Sequence, residues 1–138
     1  MIRNILLAYD GSAPSNKAFD FAADLARRYQ AELRVLTVAQ SPEFGEDVET
    51  EAVIEHSRAF HQGQMDKLRS RAAQQGILAH FDLRVGHPAR LILDHAQQHG
   101  ADLIVLGHRG HGVLDRWRLG SVTHRVISYA ECAVMVVR

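Results

Sequence analysis

Apolar and polar positions follow two alternating patterns along this chain of 138 residues. Short apolar runs, typical of buried strands, occupy residues 5–9, 33–39, 77–85, 103–106 and 133–137. Between these runs, apolar residues recur at helical spacing. This alternation of strand and helix predicts an α/β fold, with a parallel sheet and helices on both of its faces.

The intervening segments each carry one apolar helical face. The first helix is opened by Pro14, the second ends near Gly76, the third runs from Pro88 to Gly100, and the fourth follows Ser121. Residues 41–51 contain five acidic residues and are predicted to be a surface loop that runs into the second helix. The residues expected to lie on these apolar faces are Ala18, Ala22, Leu25, Ala26 and Tyr29, then Met65, Leu68 and Ala72, and then Ala89, Ile92, Leu93 and Ala96. The last segment has the helical pattern Val122, Val126 and Tyr129.

A glycine-rich loop separates the fourth strand from the last helix. Gly107-His108-Arg109-Gly110 is followed by nine residues and then by Gly120-Ser121. Glycines allow close approach of the backbone to a ligand, and the amides at a helix start favour negative charge. The loop has neither the Gly-Lys-Ser/Thr of a Walker A motif nor the spacing of a Rossmann fingerprint. It therefore predicts a phosphate site of another kind, with a flexible connection as the alternative.

Three loops of polar or glycine-containing sequence follow predicted strands, at residues 10–12, 86–88 and 107–120. In a parallel sheet these loops share one edge, and ligands bind there, at the switch in strand order. Asp10 has two interpretations. It either caps the first helix together with Ser12, or accepts hydrogen bonds from a bound nucleoside.

Composition narrows the class of protein. The length favours one domain over residues 1–138. Sixteen basic and sixteen acidic residues cancel, so a nucleic-acid partner is not expected. No apolar stretch reaches the ~20 residues of a membrane span, and no signal peptide is visible. Cys132, the single cysteine, is predicted to be a partly buried structural thiol. We expect a cytoplasmic protein.

The loop cations and the histidines leave several roles open. Arg109 is the cation most expected to touch phosphate, ahead of Arg116 and Arg118. His108 and His111 would become more basic near a bound phosphate, and Trp117 packs on the protein or on a partner. His95 and His99 have the i, i+4 spacing of a chelating pair. Because no third ligand lies near them in sequence, they are predicted to be surface histidines, and no metal site is expected.

With these motifs in place the chain resembles the universal stress protein family, in its ATP-binding branch. The family motif Gly-x2-Gly-x9-Gly-Ser/Thr is met by Gly107, Gly110, Gly120 and Ser121. The segments 5–12, 86–89 and 101–107 are similar to further family segments, in order along nearly the whole chain. The residues 130–133 depart from the family pattern, because they lack the proline that often precedes the last strand.

The resemblance implies a single-domain three-layer α/β/α fold of the adenine nucleotide alpha hydrolase type, with five parallel strands in the order 3-2-1-4-5. It also implies that ATP lies across strands one and four, with Mg²⁺ as an optional companion. Asp10 would contact the nucleoside, and Val38 would pack on adenine. The full set of binding residues implied is Ala8, Asp10, Val38, Leu106, Gly107, Arg109, Gly110, Gly120, Ser121, Val122 and Thr123.

Members of the family commonly dimerise through the last strand, here Val134, Met135, Val136 and Val137. An apolar edge strand left unpaired is also a physical liability. The chain has no recognisable catalytic set, so the function expected is that of an ATP-binding regulatory module of the stress response with little or no turnover. Two alternatives stay open: a slow Mg²⁺-dependent ATP hydrolase, and a dimeric interaction module that binds no nucleotide.

Overall fold

A computed structural model describes residues 1–40, 48–110 and 119–138 of the chain. The strands are β1 (Asn4–Ala8), β2 (Glu32–Gln40), β3 (Ala79–Gly86), β4 (Leu103–Gly107) and β5 (Ala133–Val137). The helices are α1 (Ala13–Tyr29), α2 (Val48–Gln74), α3 (Pro88–Gln98) and α4 (Ser121–Tyr129). Each predicted strand is present, with ends that differ by one or two residues.

The five strands form one parallel sheet in the order β3-β2-β1-β4-β5, which confirms the fold class. At its centre, Ile5 of β1 is in register with Leu33 of β2 and with Leu103 of β4. The chain moves outward from β1 to β3, then crosses back to β4 on the other side of β1. The switch in strand order therefore falls between β1 and β4, where the connecting loops diverge and leave a crevice.

Alternating side chains of the sheet face two separate cores. Ile5 and Leu7 of β1 pack on one face, together with α1 and α2, and Leu6 packs on the other, together with α3 and α4. The helix residues predicted to face inward are mostly buried, as shown by Ala18, Ala22, Ala26, Met65, Leu68, Ala72, Ala89, Ile92, Ala96 and Val126. Both apolar sheet faces are thereby covered, as a parallel sheet requires.

Two expectations are wrong, one for the buried face of α1 and one for the first residue of β3. Tyr29 is 53% exposed and does not face the core, because the helix ends there and the chain turns at Gln30 in a left-handed conformation. The buried aromatic of α1 is Phe19 instead, which is fully buried. The third strand begins at Ala79 and not at Ile77. Ile77 and Leu78 belong to the connection that follows α2, and the side chain of Leu78 is exposed to solvent.

The amino ends of the two central strands are held together by Asp102. Its carboxylate accepts hydrogen bonds from the backbone amides of Arg3 at 2.8 Å and Asn4 at 2.9 Å. These two bonds lower the pKa of Asp102. Cys132 at the start of β5 is half-buried, and burial raises the pKa of its thiol, in agreement with the predicted structural role. Within the described ranges, no helix has the length and apolar character needed to cross a membrane.

Candidate functional site

A cleft of about 470 Å³ opens where the carboxyl ends of β1 and β4 diverge. All eleven residues implied as a binding set line this one cleft, although they come from four separate parts of the chain. They comprise Ala8 at the end of β1, Asp10 just after it, and Val38 of β2. The others are Leu106, Gly107, Arg109 and Gly110, at and after the end of β4, and Gly120, Ser121, Val122 and Thr123 at the start of α4. The tertiary structure thus brings the predicted set together.

Asp10 lies at the junction of two loops. Its Oδ1 accepts a hydrogen bond from the amide of Ser12 at 2.9 Å, while the hydroxyl of Ser12 accepts from Ser15 N and caps α1. Capping is therefore done by Ser12, and Asp10 shapes the turn that precedes it. The second oxygen, Oδ2, lies where a side chain on Gly110 would be. The first-strand carboxylate and the glycine loop are consequently in direct contact.

The motif glycines are required by close packing of the protein on itself. A Cβ on Gly107 would lie 2.7 Å from Pro14 Cβ and 3.1 Å from the amide nitrogen of Ser15, so β4 ends directly against the start of α1. A Cβ on Gly120 would lie 3.2 Å from Arg109 Cα. The two ends of the glycine loop are thus in close contact, and a side chain in place of Gly120 requires the backbone at Arg109 to shift by a few tenths of an ångström.

Hydrogen bonds also join the two ends of this loop to each other, to α4 and to β5. The amide of Gly120 donates to the carbonyl of His108 at 2.8 Å, and the amide of His108 donates to Val137 at 2.7 Å. The hydroxyl of Thr123, which is 3% exposed, donates to the carbonyl of Gly107 at 2.8 Å. A phosphate contact by Thr123 would therefore fall to its backbone amide.

The first turn of α4 borders the cleft with its amides. In an α-helix the first N–H groups lack partners within the helix and carry the positive end of the dipole. Gly120, at the N-cap, offers no side chain to satisfy them. Ser121, Val122 and Thr123 supply this turn, and Arg109 lines the cleft as a fixed cation. The helix amides and the guanidinium of Arg109 are donors that suit an oxyanion.

The predictions for the other residues of the glycine loop concern His108 and residues 111–118. His108 is only 7% exposed and does not line the cleft, because its backbone is tied between β5 and Gly120. It is therefore not an exposed loop cation. The interpretations that concerned His111, Asp115, Arg116, Trp117 and Arg118 lie outside the described residues.

Sequence reasoning missed several residues of the cleft. These are Tyr9, Ser15, Leu36, Gln40, Ser57, His61, Pro88 and Ile92. Pro88 belongs to the 86–88 loop, one of the three loops assigned to this edge, so its position could be predicted from the sequence. Ser57 and His61 belong to α2, and no local pattern indicates that this helix reaches the cleft. Tyr9 is anchored, since its hydroxyl donates to Asn16 Oδ1 at 2.8 Å, and burial raises its pKa.

One histidine prediction is wrong. His95 is not a surface residue but is only 4% exposed, since it follows Ile92 on the inward face of α3. There it meets Asp82 of β3, a residue that is far from it in sequence.

The fold and the cleft define a class of α/β proteins with a switch-point ligand site. The model of the "Universal stress protein family" matches residues 1–138. The chain belongs to this family. It is 35% identical to the universal stress protein YxiE of Bacillus subtilis, over the whole of both chains. It is also 34% identical to the universal stress protein MJ0531 of Methanocaldococcus jannaschii, over all of this chain and 83% of that protein.

Solved structures agree with this assignment. Universal stress protein UspA from Lactobacillus plantarum is 30% identical and superposes with a TM-score of 0.92, over 99% of this chain and 98% of its own. More distant structures, each below 25% identity, share the fold. Among them are a universal stress protein in complex with cAMP, one from Arabidopsis thaliana with AMP bound, and one from Archaeoglobus fulgidus in complex with dAMP, with TM-scores of 0.76, 0.71 and 0.69.

Proposed function

We propose that this chain binds an adenine nucleotide, ATP foremost, in the switch-point cleft, and acts as a regulatory module of the stress response with little or no turnover. The observation that carries the proposal is the convergence of the whole implied binding set on one cleft of about 470 Å³. This volume lies in the range of small-molecule pockets, which is roughly 300–1,000 Å³.

The two ends of the cleft differ in chemistry in the way that a nucleotide does. Leu36, Val38 and Ile92 provide apolar surface from β2 and α3. A planar base can pack there without leaving buried polar groups unpaired. Asp10 lines the same cleft, and its carboxylate can accept hydrogen bonds from a ribose hydroxyl or a base amine.

The phosphate end rests on backbone geometry. The first-turn amides of α4 together with Arg109 offer several donors to oxyanions. The tight closure of the loop between Arg109 and Gly120 fixes those donors before a ligand arrives, which lowers the entropic cost of binding. The adenine nucleotides held by the distant family structures support the same class of ligand.

Turnover is expected to be slow or nil. Phosphoryl transfer needs an oriented nucleophile and charge stabilisation at the γ-phosphate, commonly by a lysine and Mg²⁺. Among the described residues that line the cleft there is no lysine, and Asp10 and Arg109 are its charged pair. ATP then acts by favouring one conformation or one partner of the protein in the cytoplasm, where adenine nucleotides are abundant.

The decisive experiment is mass analysis of the small molecules released when the purified protein is denatured, followed by calorimetric titration of nucleotide-free protein. We expect one nucleotide per chain, with ATP bound more tightly than AMP because it reaches the phosphate end. No released nucleotide, together with no response to millimolar ATP, would overturn the proposal and favour a dimeric interaction module.

The same samples decide between a binding protein and a slow hydrolase. Protein at saturating ATP and Mg²⁺ is followed for hours, and ADP and AMP are counted per chain. Negligible or stoichiometric release fits the binding module. Sustained Mg²⁺-dependent release that disappears in Asp10→Ala would make the protein an enzyme.

We also propose a homodimer formed through β5. This strand pairs with β4 on one side and is at the edge of the sheet. Val134, Met135 and Val136 are only half-buried there. Pairing with a second copy satisfies the open edge and covers these side chains. Light scattering at micromolar concentration is expected to give twice the chain mass of 15.4 kDa, and a monomer would contradict the assignment.

A further inference from the structure

A second cluster of chemically active side chains lies away from the cleft. Asp82 of β3, His95 of α3 and His99, which directly follows α3, place one ligand atom each within 4.8 Å of one another. His95 Nε2 is 3.5 Å from Asp82 Oδ2. The rings of His95 and His99 are 4.4 Å apart between centroids and tilted by 48°. Three donors from two elements therefore face a common point.

The key observation is the state of His95. Its side chain is 5% exposed, and its Nε2 finds no hydrogen-bond partner among the residues that the structure describes. Buried polar atoms are nearly always satisfied, and an exception calls for an explanation such as an ion. The 3.5 Å separation from Asp82 brings the two atoms close without a hydrogen bond between them.

We propose that Asp82, His95 and His99 form a binding site for a divalent transition-metal ion of the Zn²⁺ type. Two imidazole nitrogens and a carboxylate oxygen form a donor set that binds Zn²⁺ in preference to Ca²⁺ or Mg²⁺. Tetrahedral bonds of about 2.0 Å place donors about 3.3 Å apart. The separation of His95 from Asp82 nearly meets this value, and small side-chain rotations bring in His99. Three protein ligands leave a fourth position for water.

The charges around His95 are consistent with metal binding at neutral pH. Burial lowers the pKa of His95, and the neighbouring His99, Arg34 of β2 and Arg84 of β3 act in the same direction, while Asp82 opposes them. Burial thus favours the neutral imidazole, which is the form that binds a metal. Arg34 and Arg84 disfavour an added cation, and the carboxylate of Asp82 favours one.

The site shares no residue with the nucleotide cleft, although both use α3. The cleft residue of α3 nearest to it in sequence is Ile92, three residues before His95, about 4.5 Å along the helix axis at 1.5 Å per residue. A bound ion would join α3 to β3 and stabilise the folded state, because the unfolded chain does not present the three ligands together. The inference therefore does not rest on the proposed function.

The test is titration of tag-free, metal-stripped and nucleotide-free protein with Zn²⁺ alone, in competition with a chromophoric chelator. We expect one Zn²⁺ per chain. His99→Ala and Asp82→Asn should each weaken binding at least about tenfold, since each removes one of three ligands. His124→Ala removes an exposed histidine of α4 and is the matched control, with unchanged binding expected. Co²⁺ provides a second readout through its ligand-field absorption.

Thermal unfolding decides whether the ion binds the folded site. Added Zn²⁺ should raise the melting temperature of the wild type and of His124→Ala, and should raise those of His99→Ala and Asp82→Asn by less at the same concentration. Circular dichroism checks that each variant is folded. Equal affinity in the wild type and in His99→Ala would overturn the proposal. So would the lack of saturable binding below roughly 100 μM, an affinity no better than about 5.5 kcal/mol.

Discussion

The helix α3 contributes to two sites that are built in opposite ways. At its amino end, Pro88 and Ile92 border a cleft whose proposed phosphate end consists mainly of backbone, with glycines in close contact with neighbouring parts of the chain. Further along, His95 and His99 face Asp82 in a cluster that consists of side chains alone. The cleft depends on the lack of a side chain at Gly107, Gly110 and Gly120, while the cluster depends on the side chains of three residues.

This difference determines how each site is recognised and how it fails. A site made of backbone requires glycines at fixed spacing within one loop, so a short stretch of sequence reveals it. A site made of side chains from a strand and a helix has no local signature, because its members meet only in the folded state. The first is destroyed by adding atoms and the second by removing them.

The largest effect is expected from Gly120→Val. The new Cβ would lie 3.2 Å from Arg109 Cα, and its methyl groups would force the two ends of the loop apart. Nucleotide affinity should fall at least about a hundredfold, which is about 2.7 kcal/mol. Calorimetry measures it. Gly63→Val is the control, because that glycine of α2 has no neighbour within 4 Å among the described atoms.

Binding of Zn²⁺ to Gly120→Val sharpens the comparison between the two sites. If the sites are independent, the variant keeps its zinc affinity while it loses ATP. Full retention of ATP affinity would show that the glycine loop does not form the phosphate end of the site.

Asp10 tests the one charged side chain at the nucleoside end. Asp10→Ala should weaken ATP binding roughly tenfold to a hundredfold, since hydrogen bonds to a charged group contribute about 1.5–3 kcal/mol. Asp10→Asn keeps an acceptor for the amide of Ser12 and so preserves the turn. An equal loss in both variants assigns the effect to the charge, and a loss in Asp10→Ala alone assigns it to the turn.

Two buried threonines test how much the hydrogen bond between Thr123 and the glycine loop contributes to stability. Thr123 donates to the carbonyl of Gly107, whereas the hydroxyl of Thr37 on β2 has no partner in the described part of the chain. Thr123→Val should lower the free energy of unfolding by about 1–2 kcal/mol, because it leaves a buried carbonyl unpaired. Thr37→Val should be neutral or stabilising, since it removes a buried hydroxyl without a hydrogen bond.

Urea unfolding measures both values. An equal cost for the two substitutions would contradict the assigned difference in hydrogen bonding.

The smallest effect is expected for the pH dependence of stability in the metal-free protein, through His95. Because the folded state lowers the pKa of His95, the unfolded state binds more protons at mildly acidic pH. The free energy of unfolding should therefore fall as the pH drops below the unfolded pKa of about 6.5, and should level off below the folded pKa. In His95→Leu this contribution disappears, and stability at neutral pH is equal or higher.

Urea unfolding with EDTA, at pH values of about 7.5 and 5.5, compares the two proteins across this range. A wild type and a variant with the same pH dependence would show that His95 does not titrate in the folded state as its burial implies.

Much of the fold could be predicted because local pattern and tertiary packing agree. The apolar runs became the five strands, and Met65, Leu68 and Ala72 are buried as their spacing indicates. Tyr29 shows where pattern fails. It continues the apolar spacing of α1, but the helix ends at that residue, and nothing remains to pack against it. Phe19 was missed because a run of alanines defined the inward face without it.

By itself the sequence determined the order of strands and helices and the position of the glycine loop, because both follow from short-range periodicity and backbone freedom. The resemblance to a known family supplied the strand order and the roles proposed for Asp10 and Val38. The tertiary structure alone decided that Ser57 and His61 of α2 reach the cleft, and that Asp82 lies beside His95. Those contacts depend on how far helices extend over the sheet and on which strand faces which helix. Both are set by packing between distant parts of the chain.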